Sequence, residues 1–117
     1  MGPAEREAYR RDGRRLVEAL IAHLDTDPAD LAARAGTEEE SARHVDDLAR
    51  RLAASGCSLT EGVTAFVAAR RPFLSELAAL GRRRALDPAR LAALYVDASG
   101  VLDRLLIRFI ASFEEGR

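Results

Sequence analysis

The chain has 117 residues, a formal net charge of −1 and 48% hydrophobic residues, enough for one domain around a single buried core. All its basic side chains are arginine, and their near balance with the acids excludes a global electrostatic attraction to nucleic acid or to an anionic membrane. The single Cys57 excludes an internal disulfide and no apolar run approaches the length of a membrane span, so the sequence predicts a cytoplasmic protein.

Sustained alternation and β-branched runs are missing while Ala, Leu, Arg and Glu dominate, which predicts an all-α fold. The first helix is expected over about residues 4–24, with Tyr9, Gly13, Leu16, Leu20 and Leu24 along one side. In "TDPAD", Asp27 reads as an N-cap and Pro28 as the first position of a short helix ending at Gly36. In "TEEE", Thr37 and Glu40 have the spacing of a capping box for a third helix, with Val45, Leu48, Ala49 and Leu52 inward and Gly56 as its stop. A second capping box, Ser58 with Glu61 in "SLTE", opens a helix with Leu59, Val63, Phe66, Val67, Phe73, Leu74, Leu77 and Leu80 on its inner side, ending at Gly81. "LDPAR" repeats the Asp-Pro start at Asp87 and Pro88, and the last helix runs to about Glu115. The expected architecture is one domain, residues 1–117, folded as a compact bundle of four main helices plus one short helix, with short connectors favouring antiparallel neighbours.

Residues that could carry chemistry are few. Ser41, His44 and Asp46 share a helix but point in different directions, and no glycine-rich elbow presents the serine. Glu40, His44 and Asp47 do share a face, and read as a solvated flank in preference to a metal site. His23 lies at the edge of the first apolar stripe as a partly exposed packing residue, neither histidine reads as a haem ligand, and Cys57 is a small turn residue. The expectation is a protein that is no enzyme and carries neither metal nor cofactor.

Residues 29–52 have the rhythm of a helix-turn-helix, a short helix with paired alanines, a glycine turn and a second helix. Glu38, Glu39 and Glu40 would open the recognition helix against DNA phosphates, which opposes binding. A DNA-binding regulator is therefore the alternative reading.

The segments "LARRLAASGCSLTEGVTAFVAARRPFLSEL" and "LDRLLIRFIASFEE" resemble the helical N-terminal sensor domains of bacterial signalling proteins, the RsbR-type stressosome co-antagonists. The resemblance covers residues 41–115. It implies a regulatory, non-catalytic sensing or interaction module of the stress response, globin-like but without haem, that works through a protein partner or an output domain.

Helical geometry marks two further features. "ARRP" sets Arg70 and Arg71 beside Pro72 in an apolar run; Pro72 lacks the N–H that would bond to Ala68, which predicts a kink. Arg70 falls on the inward side between Phe66 and Phe73, to pair with Asp97, Asp46 or Asp47 at the rim or to line a pocket with Phe66, Phe73, Tyr95 and Leu102 for an anionic small molecule or a partner's carboxylate. On the last helix Leu91, Tyr95, Ala98, Leu102, Leu105 and Phe109 form an inward stripe, while Ala92, Val96, Ile107 and Ile110 form a second apolar side with Gly100 at its border. A homodimer through Val96, Gly100, Ile107 and Ile110 is expected, the competing arrangement being that the first helix covers this face.

Overall fold

Side-chain caps set most of the helix starts. In the computed structural model, which describes residues 2–27 and 29–116 and, within these, the side chains at all positions but 5, 8, 9, 13 and 17, the helices are α1 (Pro3–Asp25), α2 (Leu31–Ala54), α3 (Leu59–Arg83) and α4 (Pro88–Glu115). Ser58 and Glu61 form the reciprocal capping box at α3, each bond 3.1 Å long, and the Asp87 carboxylate accepts from the Arg90 N–H at 2.9 Å to open α4. The side-chain placements at Tyr9 and Gly13, expected in the first stripe, and Pro28, expected at the second helix start, lie outside what the structure describes.

α2 departs from the sequence reading. Its cap is Asp30, which accepts from the Ala33 N–H at 3.0 Å, while Asp27 instead turns the connector by accepting from the Ala29 N–H at 2.9 Å. There is no separate short helix: α2 runs without a break through Gly36 and Thr37. Thr37 does not cap; its hydroxyl bonds back to the Ala33 and Arg34 carbonyls, both at 3.1 Å, and faces His23 on α1. A mid-helix glycine costs about 1 kcal/mol of propensity, which the packing of α2 against α1 and α4 outweighs. The continuous helix also removes the helix-turn-helix, because residues 31–54 contain no turn that could set two helices across each other.

Cross-helix partners give the directions. Asp12 with Arg51 and His23 with Thr37 make α1 and α2 antiparallel, and Phe66 with Phe109 and Arg70 with Asp103 do the same for α3 and α4. Arg34 with Asp97, Asp46 with Arg108 and Arg50 with Glu115 make α2 and α4 parallel. This parallel pair has the largest contact in the molecule; α1 lies on the outer flank of α2, α3 on that of α4, and α2 scarcely meets its sequence neighbour α3. The result is a slab of 45 × 27 × 19 Å, about two helices thick.

The core lies along the central pair. Val45, Leu48, Ala49 and Leu52 of α2 meet Ala98, Val101, Leu102, Leu105, Phe109 and Phe113 of α4, with Leu16 and Leu20 added by α1 and Phe66, Phe73, Leu74 and Leu77 by α3. Phe109 sits 5.6 Å from Phe66 and 6.2 Å from Phe113, ring centre to ring centre. Gly62 admits this ring, since a Cβ there would stand 3.0 Å from the Phe109 Cζ. Two residues expected inside are outside: Val67 is 51% exposed and Tyr95 44%, each at the border of its stripe, where a large side chain can turn to water. α3 ends in a turn whose Leu86 N–H bonds to the Gly81 carbonyl at 3.0 Å and whose Ala85 holds a left-handed φ of 55°. No helix among the described residues is long and apolar enough to cross a membrane.

Gly36→Ala separates the continuous helix from a broken one. A Cβ at Gly36 meets nothing within 4 Å, so the substitution is expected to stabilise the protein by about 0.5–1 kcal/mol in urea unfolding. Destabilisation would mean that residue 36 ends a helix in the left-handed conformation.

Candidate functional site

The exposed side of α4 and the polar seam beside it are the surface on which this fold concentrates unused apolar groups. Val96, Gly100, Asp103, Ile107, Ile110 and Glu114 follow one another at alternating four- and three-residue steps, which lines them up on one face of a helix like the seam positions of a coiled coil. Val96 is 71% exposed and Ile107 69%, whereas Gly100 and Ile110 are half-buried. Among the described residues a Cβ at Gly100 would meet only the Arg104 guanidinium, at 3.5 Å, so none of them requires a glycine at this costly helical position. A groove of about 280 Å³ runs beside Ile107, between Glu38, Glu39 and Ala42 of α2 and Arg104, Arg108 and Ala111 of α4.

The seam bordering this face is ionic. Arg104 donates to Glu38, and Arg108 places Nε and Nη2 on the two Asp46 oxygens, each at 2.8 Å. Asp46 is buried and also accepts from the Ser112 hydroxyl; burial alone would raise its pKa, but the hydrogen bonds from Arg108 and Ser112 outweigh it and hold the carboxyl below its ordinary value. Asp46, which the sequence offers as a rim partner for Arg70, is thus a cross-helix anchor for Arg108.

At the start of α2 the polarity reverses. Arg34 donates to Asp97 at 2.6 Å and lies 3.3 Å from Nε2 of His23. His23 is 2% exposed, against the expectation of a partly exposed residue, and its Nδ1 stands 2.6 Å from the Thr37 hydroxyl. The Thr37 proton is committed to backbone carbonyls, so Nδ1 carries the imidazole proton and donates to Thr37, while Nε2 accepts from Arg34. A second proton on Nε2 would point at the Arg34 N–H. Burial and Arg34 lower the His23 pKa, in that order, against the opposing pull of Asp97 and Glu38.

Of the residues that the sequence grouped around Arg70, the structure buries Phe66, Phe73 and Leu102 and leaves Tyr95 half in water. Arg70 reaches the rim and donates to Asp103 at 2.6 Å, not to Asp46 or Asp47, which lie on α2 where α3 scarcely reaches, nor to Asp97, which is held by Arg34. α3 continues as a helix through Pro72. Sequence reasoning missed the His23–Arg34–Asp97 chain; the only signal for it was a histidine at a stripe edge, and its partners are 11 and 63 positions from one another along the chain. Among the described residues no group of three or more His, Cys, Asp or Glu is arranged to hold a metal ion.

A family model described as the RsbT co-antagonist protein rsbRD N-terminal domain matches residues 2–117. Comparisons with curated proteins and with solved structures return no match.

Because the folded-state pKa of His23 lies below its ordinary 6.5, the unfolded chain takes up this proton first as the pH falls. The stabilisation is complete above that value and declines below it. Urea unfolding at about pH 7.5 and about pH 5 should therefore show a loss of stability on acidification that His23→Gln, which can still donate to Thr37 and accept from Arg34, reduces. Equal losses in the two proteins would remove His23 as the source.

Proposed function

The chain belongs to the family of RsbT co-antagonist rsbRD N-terminal domains, and we propose that it acts as a non-catalytic regulatory domain of stress-response signalling that pairs with a second copy of itself through the outer face of α4. The observation that carries the reading is the run from Val96 to Ile110: two large aliphatic side chains mostly in water, on a helix whose glycine serves no contact among the described residues of its own chain. Removing such side chains from water is worth about 1.5–3 kcal/mol each, and a glycine at the seam lets two helix backbones approach. Asp103, fixed by Arg70, interrupts the apolar run with a polar group that can select one register of the pair. α1 lies on the flank of α2 and leaves this face of α4 open.

In this reading the domain transmits a state to its partner by the arrangement of paired helices and uses no covalent chemistry. The described residues hold no metal-ligand cluster, and Ser41 bonds to the Thr37 carbonyl within its own helix. The domain works in the cytoplasm and addresses a protein partner or an output domain, not DNA.

Light scattering at tens of micromolar is expected to give a dimer that Ile107→Glu converts to a monomer with unchanged helical circular dichroism, since a carboxylate in an apolar seam costs more than the contact yields. A monomeric wild type, a dimer indifferent to Ile107→Glu, or retention of duplex DNA at low salt would each overturn the reading.

A further inference from the structure

At the end of the slab where α1 and α3 finish and α2 and α4 begin, the helices diverge around a cleft of about 580 Å³, within the range of small-molecule sites. Its walls come from the end of α1, the start of α2, the α3–α4 turn and the first turns of α4. From this cleft we infer that the protein binds a small amphipathic monocarboxylate, with the head group on Arg90 and the hydrocarbon body on Leu24, Leu86 and Leu94.

The sign of the head group follows from which charges are already spent. The cleft is lined by Arg34, Arg84 and Arg90 and by Asp25, Asp27 and Asp97. Arg34 is held by Asp97 and Arg84 by Asp25, each at 2.6 Å, and an oxygen of Asp27 accepts the Ala29 N–H. Among the described residues Arg90 has no carboxylate within 4.0 Å. It projects from the third position of α4, where its own backbone N–H is capped by Asp87 and its guanidinium is left to an external acceptor. A ligand amine could reach Asp25 or Asp97 only by displacing an arginine, and Asp27, the lining acid with no arginine among the described residues, already accepts the Ala29 N–H, so octylamine is the control for the sign of the head group.

The requirement for an apolar body comes from the same walls. Leu24, Leu86 and Leu94 continue from the cleft into a second hollow of about 30 Å³, closed by Ile21, Leu77 and Leu80. A space of this size takes about one methyl group or one water; the polar side chains on its wall, Asp25 and Arg84, are paired with each other, and the six leucine and isoleucine side chains around it favour a methyl. The hollow exists because α1 and α3 stand on opposite flanks of the central pair and do not pack closely. The turn that carries Arg84 and Leu86 into the cleft is held by Ala85 at φ 55°, a conformation that disfavours a side chain by about 1–2 kcal/mol; strain of this kind gathers where a loop must keep a functional shape.

The cleft is lined from the first turns of α4 and includes none of Val96, Gly100, Ile107 or Ile110, and binding is read in the Ile107→Glu protein as well as the wild type, so its outcome is separate from that of the dimer. Isothermal titration calorimetry of the full chain with octanoate, octylamine and inorganic phosphate decides the matter. Octanoate is expected to bind saturably at one site per chain, about tenfold or more tightly than either of the other two, and Arg90→Gln, a substitution at an exposed position, to weaken it about tenfold or more while leaving the melting curve in place. Backbone amide shifts on adding octanoate should centre on Leu86, Arg90 and Leu94. No saturable binding, equal binding of octylamine or of phosphate, an unchanged affinity in Arg90→Gln, or shifts confined to the Val96–Ile110 face would overturn the assignment.

Discussion

The bundle depends on the parallel pairing of α2 with α4, and the register of that pair is written in charge. Along α2 the order is Arg34, Glu38, Glu39, Asp46, Arg50; along α4 the facing order is Asp97, Arg104, Arg108, Glu115. Positive ends meet negative ends and the acidic middle meets two arginines. Sliding α4 by about two turns would bring Arg34 towards Arg104 and trade attraction for repulsion. Most of these pairs are partly exposed and worth about 0–1 kcal/mol each, too little to drive folding but enough in sum to reject a shifted packing of the leucine, valine and phenylalanine core beneath them.

Parallel helices joined by short connectors cannot follow each other in sequence, so once α2 and α4 take the centre, α1 and α3 are forced to the outside. Each flanking helix is then secured by one face only. α1 is tied to α2 by the buried Asp12 beside Arg51, a charge contact more than an aligned hydrogen bond, and by the imidazole bridge from His23 to Thr37 and Arg34. α3 is tied to α4 by the phenylalanine cluster, by Gly62 and by Arg70 on Asp103. The Arg84–Asp25 pair spans the gap between the two flanks and borders both the cleft and the small hollow at that end of the molecule.

Local signals were legible in the sequence and long-range ones were not. The capping box at Ser58 and the Asp87–Pro88 start are decided within four residues, and the structure has them where the sequence puts them. Gly36 and Thr37 carry equally strong local signals for a helix boundary, yet the helix passes through, because Thr37 finds better use for its hydroxyl on the preceding turn and against His23. The inward stripes of α2 and α4 were readable from helical spacing down to Val45, Leu52, Leu105 and Phe109. Which arginine meets which aspartate was not, since it requires knowing that α2 and α4, separated by a whole helix in sequence, lie side by side. Arg70 shows this: its helix face was correctly placed, and its partner was not among the acids considered. Val96 and Ile107 were legible as an extra apolar side of α4 because an amphipathic helix needs only one.

The register code contains no lysine, since every basic side chain in the chain is arginine. A guanidinium keeps its proton at any pH at which proteins survive and presents no amine for acylation. The enzymes and metabolic acyl donors that neutralise lysines in bacterial cells therefore have no side-chain handle on the α2–α4 seam. The seam that sets the helix register is thus chemically insulated from the lysine-acetylation state of the cell.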